Sequence, residues 1–230
     1  MQLKRSVFGA VALAALGPAG CIYVTTPGDT HAGLGRALCI CDAATGKPLT
    51  EATVLVEYYT VEGPEEATPA VVLERLDRLQ PDEAGCYELS RRVRWQRTWV
   101  VWTPWLHTSP LREEVAIKIC APRHQTAWFA LGRPREGLDI REEPRGHVLY
   151  LKPADTPGAQ EDAVRTIARH GWPPGERPVT ADVVVPDDLR AQLAPMVIAA
   201  YERLLKEFPS YPHAARVQRE IDHWKRLRGQ

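Results

Sequence analysis

The sequence predicts a mainly β protein, an antiparallel β-sandwich followed by a C-terminal α-helical hairpin. Three observations carry that prediction. In EATVLVEYYT (residues 51–60) polarity follows a period of two, so Ala52, Val54, Val56 and Tyr58 face one side and Thr53, Leu55, Glu57 and Tyr59 the other. From Leu34 to Leu151, short apolar runs are separated by turns rather than by long helical patterns. Near the C-terminus the period changes: Ala214, Val217, Ile221 and Trp224 recur at three and four, one stripe of a helix.

Composition sets the outer bounds. A chain of 230 residues has room for one good-sized domain, or for a domain and a small appendage. Hydrophobic residues at 44% and charged residues at 25% fit a folded globular chain. Twenty prolines favour strands joined by rigid turns over a helix bundle. Net charge is zero, so no polyelectrolyte partner is implied and nucleic acid is not expected. Arginine far outnumbers lysine and asparagine is absent, which reads as codon bias rather than bidentate recognition.

Residues 1–20 read as a signal. Lys4 and Arg5 precede an apolar run from Val7 to Leu16, too short to span a membrane, and small residues follow. Ala19-Gly20-Cys21 resembles the lipobox of bacterial lipoproteins, although Pro18 stands where that family usually has Leu. The resemblance implies acylation of Cys21, a lipid anchor in the membrane and, with Ile22 next, the periplasmic side of the outer membrane. Residues 21–33 then read as a linker, 34–152 as the sandwich, 153–186 as a linker with a short helix, and 187–228 as the hairpin.

Export gives the cysteines a meaning. Cys39, Cys41, Cys86 and Cys120 form an even set in an oxidising compartment, with three possible connectivities. Cys39 and Cys41 lie two apart on one strand, so they face one side and do not readily bridge each other. Each can reach a neighbouring strand carrying Cys86 or Cys120. Cysteines left unbridged read as buried thiols, and a soft-metal site, with His107 or His124 joining the Cys-Ile-Cys pair, is the competing reading.

Along the sandwich, GRALCICD reads as a strand and AATGKPL as a turn, with Gly46 able to take positive φ and Pro48 setting the exit. VVLERLDRLQPDEAG is ambiguous between strand and helical turn. CYELSRRVRWQRTWVVWT gives one or two strands, EEVAIKIC another and HVLYLKP the last. This pattern resembles the carboxypeptidase regulatory-like domain, a transthyretin-like β-sandwich. Asp42, Thr45, Gly46, Pro48, Leu49, Ala52, Val54 and Val56 match its first motif; Asp82, Gly85, Tyr87 and Leu89 match its second. Glu51 replaces a usual Gly, and the loop between the motifs is longer than usual. The resemblance implies a fold and no active site. Its members serve as folding partners, adhesion modules or spacers on exported proteins.

Two further segments are candidates for binding. Trp95, Trp99, Trp102 and Trp105 lie among arginines, an arrangement that holds glycans or peptides by stacking and cation–π contact. One-face spacing of Val93, Trp95, Trp99 and Val101 also fits core packing. RHQTAWFALGRPREGLDIREEPRGH reads as a polar loop over the sandwich. In the last segment, two helices flank the break 208–212. AYERLLKEFPSYPHAARV resembles one junction of tetratricopeptide-like repeats, but a single unit cannot bury its own face. The stripe Val217, Ile221 and Trp224 must therefore pack on the sandwich, pair with another copy or meet a partner.

Enzyme signatures are missing: no Gly-x-Ser-x-Gly, no His-Glu-x-x-His, no phosphate loop and no paired histidines at metal spacing. His107 near Ser109 and His147 near Glu143 read as loop residues. The expectation is a non-catalytic cell-envelope lipoprotein without a cofactor, serving as a structural or protein-interaction module with an envelope protein partner. The competing expectation is a ligand-binding module that uses the Trp-rich strand.

Overall fold

A computed structural model describes residues 21–29, 37–62, 70–79, 81–88, 93–101, 112–130, 138–143, 146–170 and 183–229; the side chains of 21–29, 37, 61, 62, 70, 88, 93–101, 112–114, 130, 142, 143 and 146 lie outside the description. The strands are β1 (Cys21–Asp29), β2 (Ala37–Asp42), β3 (Thr53–Glu62), β4 (Ala70–Leu79), β5 (Cys86–Glu88) and β6 (Val93–Val101). They continue as β7 (Arg112–Cys120), β8 (Ala127–Ala130), β9 (Asp139–Glu143), β10 (Gly146–Leu151) and β11 (Val183–Val184). Three helices complete the chain: α1 (Pro157–Ala168), α2 (Asp187–Glu207) and α3 (Ala214–Arg228).

A four-stranded sheet runs β5-β2-β10-β9 and a five-stranded sheet runs β11-β4-β3-β7-β8, while β1 and β6 pair antiparallel as a separate ribbon. Both larger sheets are mixed, because β2 and β10 run parallel, as do β11 and β4. The expected antiparallel sandwich is corrected on this point. Alternation along a strand specifies which side is buried and says nothing about the direction of its neighbour.

The alternation on β3 is borne out. Val54, Val56 and Tyr58 join Leu38 and Ile40 of β2, Ile117 of β7, Phe129 of β8 and Leu149 of β10 in one core between the two sheets. The opposite face of the five-stranded sheet is also covered. Leu55 packs with Leu193, Val197, Tyr201, Val217, Ile221 and Trp224, and Tyr59 with Leu73, Trp128 and Leu189. The helices thus form a third layer with its own core, which is why "mainly β" undercounts them.

Other segments also differ from expectation. Residues 21–29, read as a linker, form β1, with Cys21 opposite Val101; CIYVTT supplies the β-branched and aromatic residues a strand favours. The loop read over 123–147 contains β8 and β9, and Trp128 and Phe129 are buried. A four-residue apolar run suffices for a strand at a sheet edge. His147 lies on β10 rather than in a loop. The ambiguous segment after 70 is strand β4.

The two turns that carry the family-like motifs are built alike and touch. Asp42 Oδ1 accepts from the Ala44 and Thr45 amides at 2.8 and 2.7 Å, and Asp82 Oδ1 from the Ala84 and Cys86 amides at 2.9 and 2.8 Å. Gly46 and Gly85 take φ of +69° and +75°, the left-handed region glycine enters without strain. A Cβ on Gly85 would stand 3.2 Å from Pro48 Cβ, so the second turn is seated on the first. The Tyr87 hydroxyl donates to the Ala52 carbonyl and reinforces that contact.

Cys39 and Cys86 face each other across β2 and β5 and form a disulfide spanning 47 residues. Cys120 is a buried free thiol, so the expected second bridge does not form. The reason is topological. Cys41 alternates with the inward Leu38 and Ile40 on one sheet, and Cys120 with the inward Ile117 and Ile119 on the other, so they point to opposite outer faces. Replacing both bridged residues, Cys39→Ala with Cys86→Ala, is expected to lower the unfolding free energy by about 4 kcal/mol in urea titrations. Identical midpoints for the parent with and without reductant would contradict a stabilising bridge.

Candidate functional site

The outer face of the five-stranded sheet carries charges where a sheet normally carries apolar residues. Glu57 on β3 and Lys118 on β7 are both fully buried, with Lys118 Nζ 2.8 Å from Glu57 Oε1. Glu57 Oε2 accepts the Tyr59 hydroxyl at 2.7 Å, and Oε1 also accepts from His170 Nδ1 at 3.1 Å. A carboxylate only accepts, so His170 carries its proton on Nδ1. The Lys118 ammonium further donates to the carbonyls of Ile167, at 3.4 Å, and Arg169, and lies 4.9 Å over the Trp128 ring. Those carbonyls end α1, where helical acceptors lack partners and a cation meets the negative end of the dipole. Burial pushes the Glu57 carboxyl up, but Lys118 and His170 outweigh it and hold the pKa below the usual range. Two buried polar atoms here have no partner among the described residues, Trp128 Nε1 and His170 Nε2.

Helix α1 is fastened at its other end too. Thr156 caps it by accepting from the Ala159 amide at 3.2 Å, and Thr126 donates to the Ala163 carbonyl at 3.0 Å. Glu161 accepts the Tyr211 hydroxyl at 2.6 Å and Arg216 at 2.7 Å on both oxygens, which ties α1 to the start of α3.

A pair of different character lies at the end of the sandwich. His124 Nε2 is 2.8 Å from Asp42 Oδ2, and its Nδ1 is 2.6 Å from the Pro122 carbonyl. Both oxygens are acceptors, so both contacts are hydrogen bonds only when the ring carries two protons. The bond from His124, with those from Thr45 and Ala44, holds the Asp42 carboxyl down at about 2. Next to this pair Arg123 has φ of 60°, which is unusual for a residue with a side chain, and its Nε meets Glu207 Oε1 at 3.0 Å.

His124 and Arg123 open onto a cleft of about 350 Å³ between the end of the five-stranded sheet, α1 and α2. Its floor is Cys120, Val164, Ile167 and Met196, its helical walls include Ala163, Ala199 and Ala200, and Arg78 and Arg203 stand at its rim. A second cavity of about 270 Å³, lined by Leu55, Leu76 and Leu193, shares Arg78 and Met196 with it. Burial pushes the Cys120 thiol up to about 12, with Lys118 offsetting part of the effect, so it presents a neutral, unreactive wall.

The sequence-predicted residues fall as follows. Cys39 is consumed by the disulfide, and His124 is engaged by Asp42; neither is brought to the other as a metal site, and no group of three or more metal-binding side chains exists among the described residues. Trp95 and Trp99 lie on β6, whose side chains are outside the description, and Trp102, Trp105 and His107 lie outside the described residues. Val217, Ile221 and Trp224 do form one stripe, but α2 covers it within the same chain, and Trp224 is 6% exposed. The expected partner face is corrected: the hairpin buries its stripe internally. Sequence reading missed Lys118 and Glu57, because each stands on the face of its strand opposite the sandwich core and looks like an ordinary solvent-facing charge. It also missed the cleft, whose signal is a second stripe on α2 at i, i+3, i+4 and i+7: Met196, Ala199, Ala200 and Arg203.

No family model matches the chain, and neither a curated protein nor a solved structure matches it.

Removing one partner of the buried pair with Lys118→Met is expected to cost about 3–5 kcal/mol, because it strands the Glu57 carboxylate. Adding Glu57→Leu recovers most of that loss, as a double-mutant cycle by urea denaturation would show. Since the folded Glu57 pKa lies below its ordinary 4.5, the stability it contributes is present above pH 4.5 and lost as pH falls through the folded value. The double variant should lose less stability than the parent between pH 6 and pH 3; an equal loss would remove Glu57 from the acid response.

Proposed function

We propose that this chain is a cell-envelope lipoprotein, anchored by acylation of Cys21 to the periplasmic side of the outer membrane. Its body is read as a carboxypeptidase regulatory-like β-sandwich with an added helical layer, serving as a non-catalytic structural or protein-interaction module. The observation that carries this reading is the Cys39–Cys86 disulfide, a bond at home in an oxidising compartment and in keeping with the lipobox-like start. The paired Asp turns, with glycines at positive φ, support the domain assignment. The buried ionisable groups support a structural role, because Glu57 and Lys118 fasten α1 to the strands and Glu161 fastens α1 to α3. Among the described residues no helix is long and apolar enough to cross a membrane, and the acyl chains would supply the attachment.

Labelled palmitate should enter the protein in a bacterial host and be lost with Cys21→Ala, which should also release the chain from the membrane fraction. Unchanged labelling or unchanged membrane association in that variant would overturn the anchor. Crosslinking in the native envelope should then trap a protein partner on the intact chain.

A further inference from the structure

We propose that the cleft between the sheet end, α1 and α2 binds a small amphiphile bearing a single carboxylate. The alkyl body lies on the floor of Val164, Ile167 and Met196, and Arg78 and Arg203 hold the carboxylate. The inference concerns the folded body alone and does not rest on the lipid anchor.

Shape is the first argument. At about 350 Å³ the cleft falls in the lower part of the roughly 300–1,000 Å³ range of small-molecule sites. It exists because two helices present small or slender residues at the same place. On α1 the stripe is Gln160, Ala163, Val164 and Ile167; on α2 alanines occupy 199 and 200. Pro195, inside α2 and lining the cleft, cannot donate to the carbonyl one turn back, which loosens the helix at this wall. The neighbouring cavity, walled by Leu55, Leu76 and Leu193 and reached past Arg78 and Met196, extends the apolar lining behind the rim. Met196, common to both, is the side chain best able to adjust to an inserted chain.

Charge is the second argument, and it selects the head group. Arg123 is committed to Glu207 and His124 to Asp42. Arg78 and Arg203 form no salt bridge among the described residues, Arg203 acting on Glu207 only through a longer-range attraction, and Glu51 is the one acidic side chain in the lining. Across Arg78, Arg203 and Glu51 one positive charge is left over. A carboxylate neutralises it, a dianionic phosphate overshoots it, and a cationic head is repelled. The guanidinium fork also matches the planar two-oxygen carboxylate. Cys120, the nucleophile by element, faces the cleft as a neutral thiol, so the site fits retention of a ligand rather than covalent chemistry.

The test uses the full chain carrying Cys21→Ser, so that no acyl chain of its own competes, titrated calorimetrically with decanoate below its micelle concentration. Saturable one-to-one binding is expected. Hexanoate should bind more weakly, by roughly two- to fourfold per methylene removed. Arg78→Gln with Arg203→Gln should weaken decanoate by roughly tenfold or more. Ala199→Trp, an exposed position whose new side chain fills the cleft, should abolish binding. Thermal unfolding of each variant should stay within a few degrees of the parent, which separates loss of the site from loss of the fold. Absence of decanoate binding, an affinity unmoved by either variant, or equal binding of decyltrimethylammonium or decyl phosphate would each overturn the proposal. Decanoate binding here, together with no palmitate uptake by the parent chain that keeps Cys21, would refute the anchor and leave the cleft standing.

Discussion

A carboxylate and an ammonium placed on the outer face of a sheet oblige that face to be covered. Glu57 and Lys118 are fully buried, and an ion pair removed from water is tolerable only when its remaining lone pairs and protons are satisfied. Tyr59 and His170 complete the carboxylate, and the last carbonyls of α1 complete the ammonium. The position of α1 therefore follows from the chemistry of two strands. Once α1 is set, Glu161 places the junction of α2 and α3, and the apolar stripes of both helices close over Leu55. The lysine acts as a C-terminal cap delivered from 49 residues away in sequence. That is an unusual economy, since one side chain neutralises a charge, ends a helix and joins two layers.

The other half of the molecule is organised by turns. Two aspartates each gather the amides of their own turn, two glycines provide the left-handed conformation, and Pro48 and Gly85 bring the turns into contact. The disulfide follows from this arrangement, because β5 emerges from the second turn directly alongside β2. His124 then joins the first turn to the far end of β7 and, with the strained Arg123, shapes the mouth of the cleft. The cleft is thus where the turn-based half and the charge-based half meet.

Much of this order is legible in the amino-acid sequence, and the losses have physical reasons. Alternation in β3 identifies both of its faces correctly, and Gly46, Pro48 and Gly85 are legible as turn formers. Strand direction was not legible, because a parallel partner such as β10 lies over a hundred residues from β2 and leaves no local trace. The four-residue β8 was hidden in a polar surround, since a short apolar run does not rise above loop composition. The stripe on α3 was read correctly as apolar, but which surface covers it is a tertiary fact. Glu57 and Lys118 each look like solvent-facing charges of alternating strands. Only the presence of a third layer makes them interior, and only their pairing makes that interior possible.

The placement of the covalent and ionic ties has one more consequence. The disulfide joins strands of the four-stranded sheet, whereas Glu57, Lys118 and Glu161 join α1 to the five-stranded sheet and to α3. No tie of either kind is shared among these described contacts. A thiol reductant therefore acts on the sheet that carries the paired turns, whereas protonation of Glu57 and Glu161 loosens the helical clasp. The molecule has two separate points of weakness, each exposed by a different change in its surroundings.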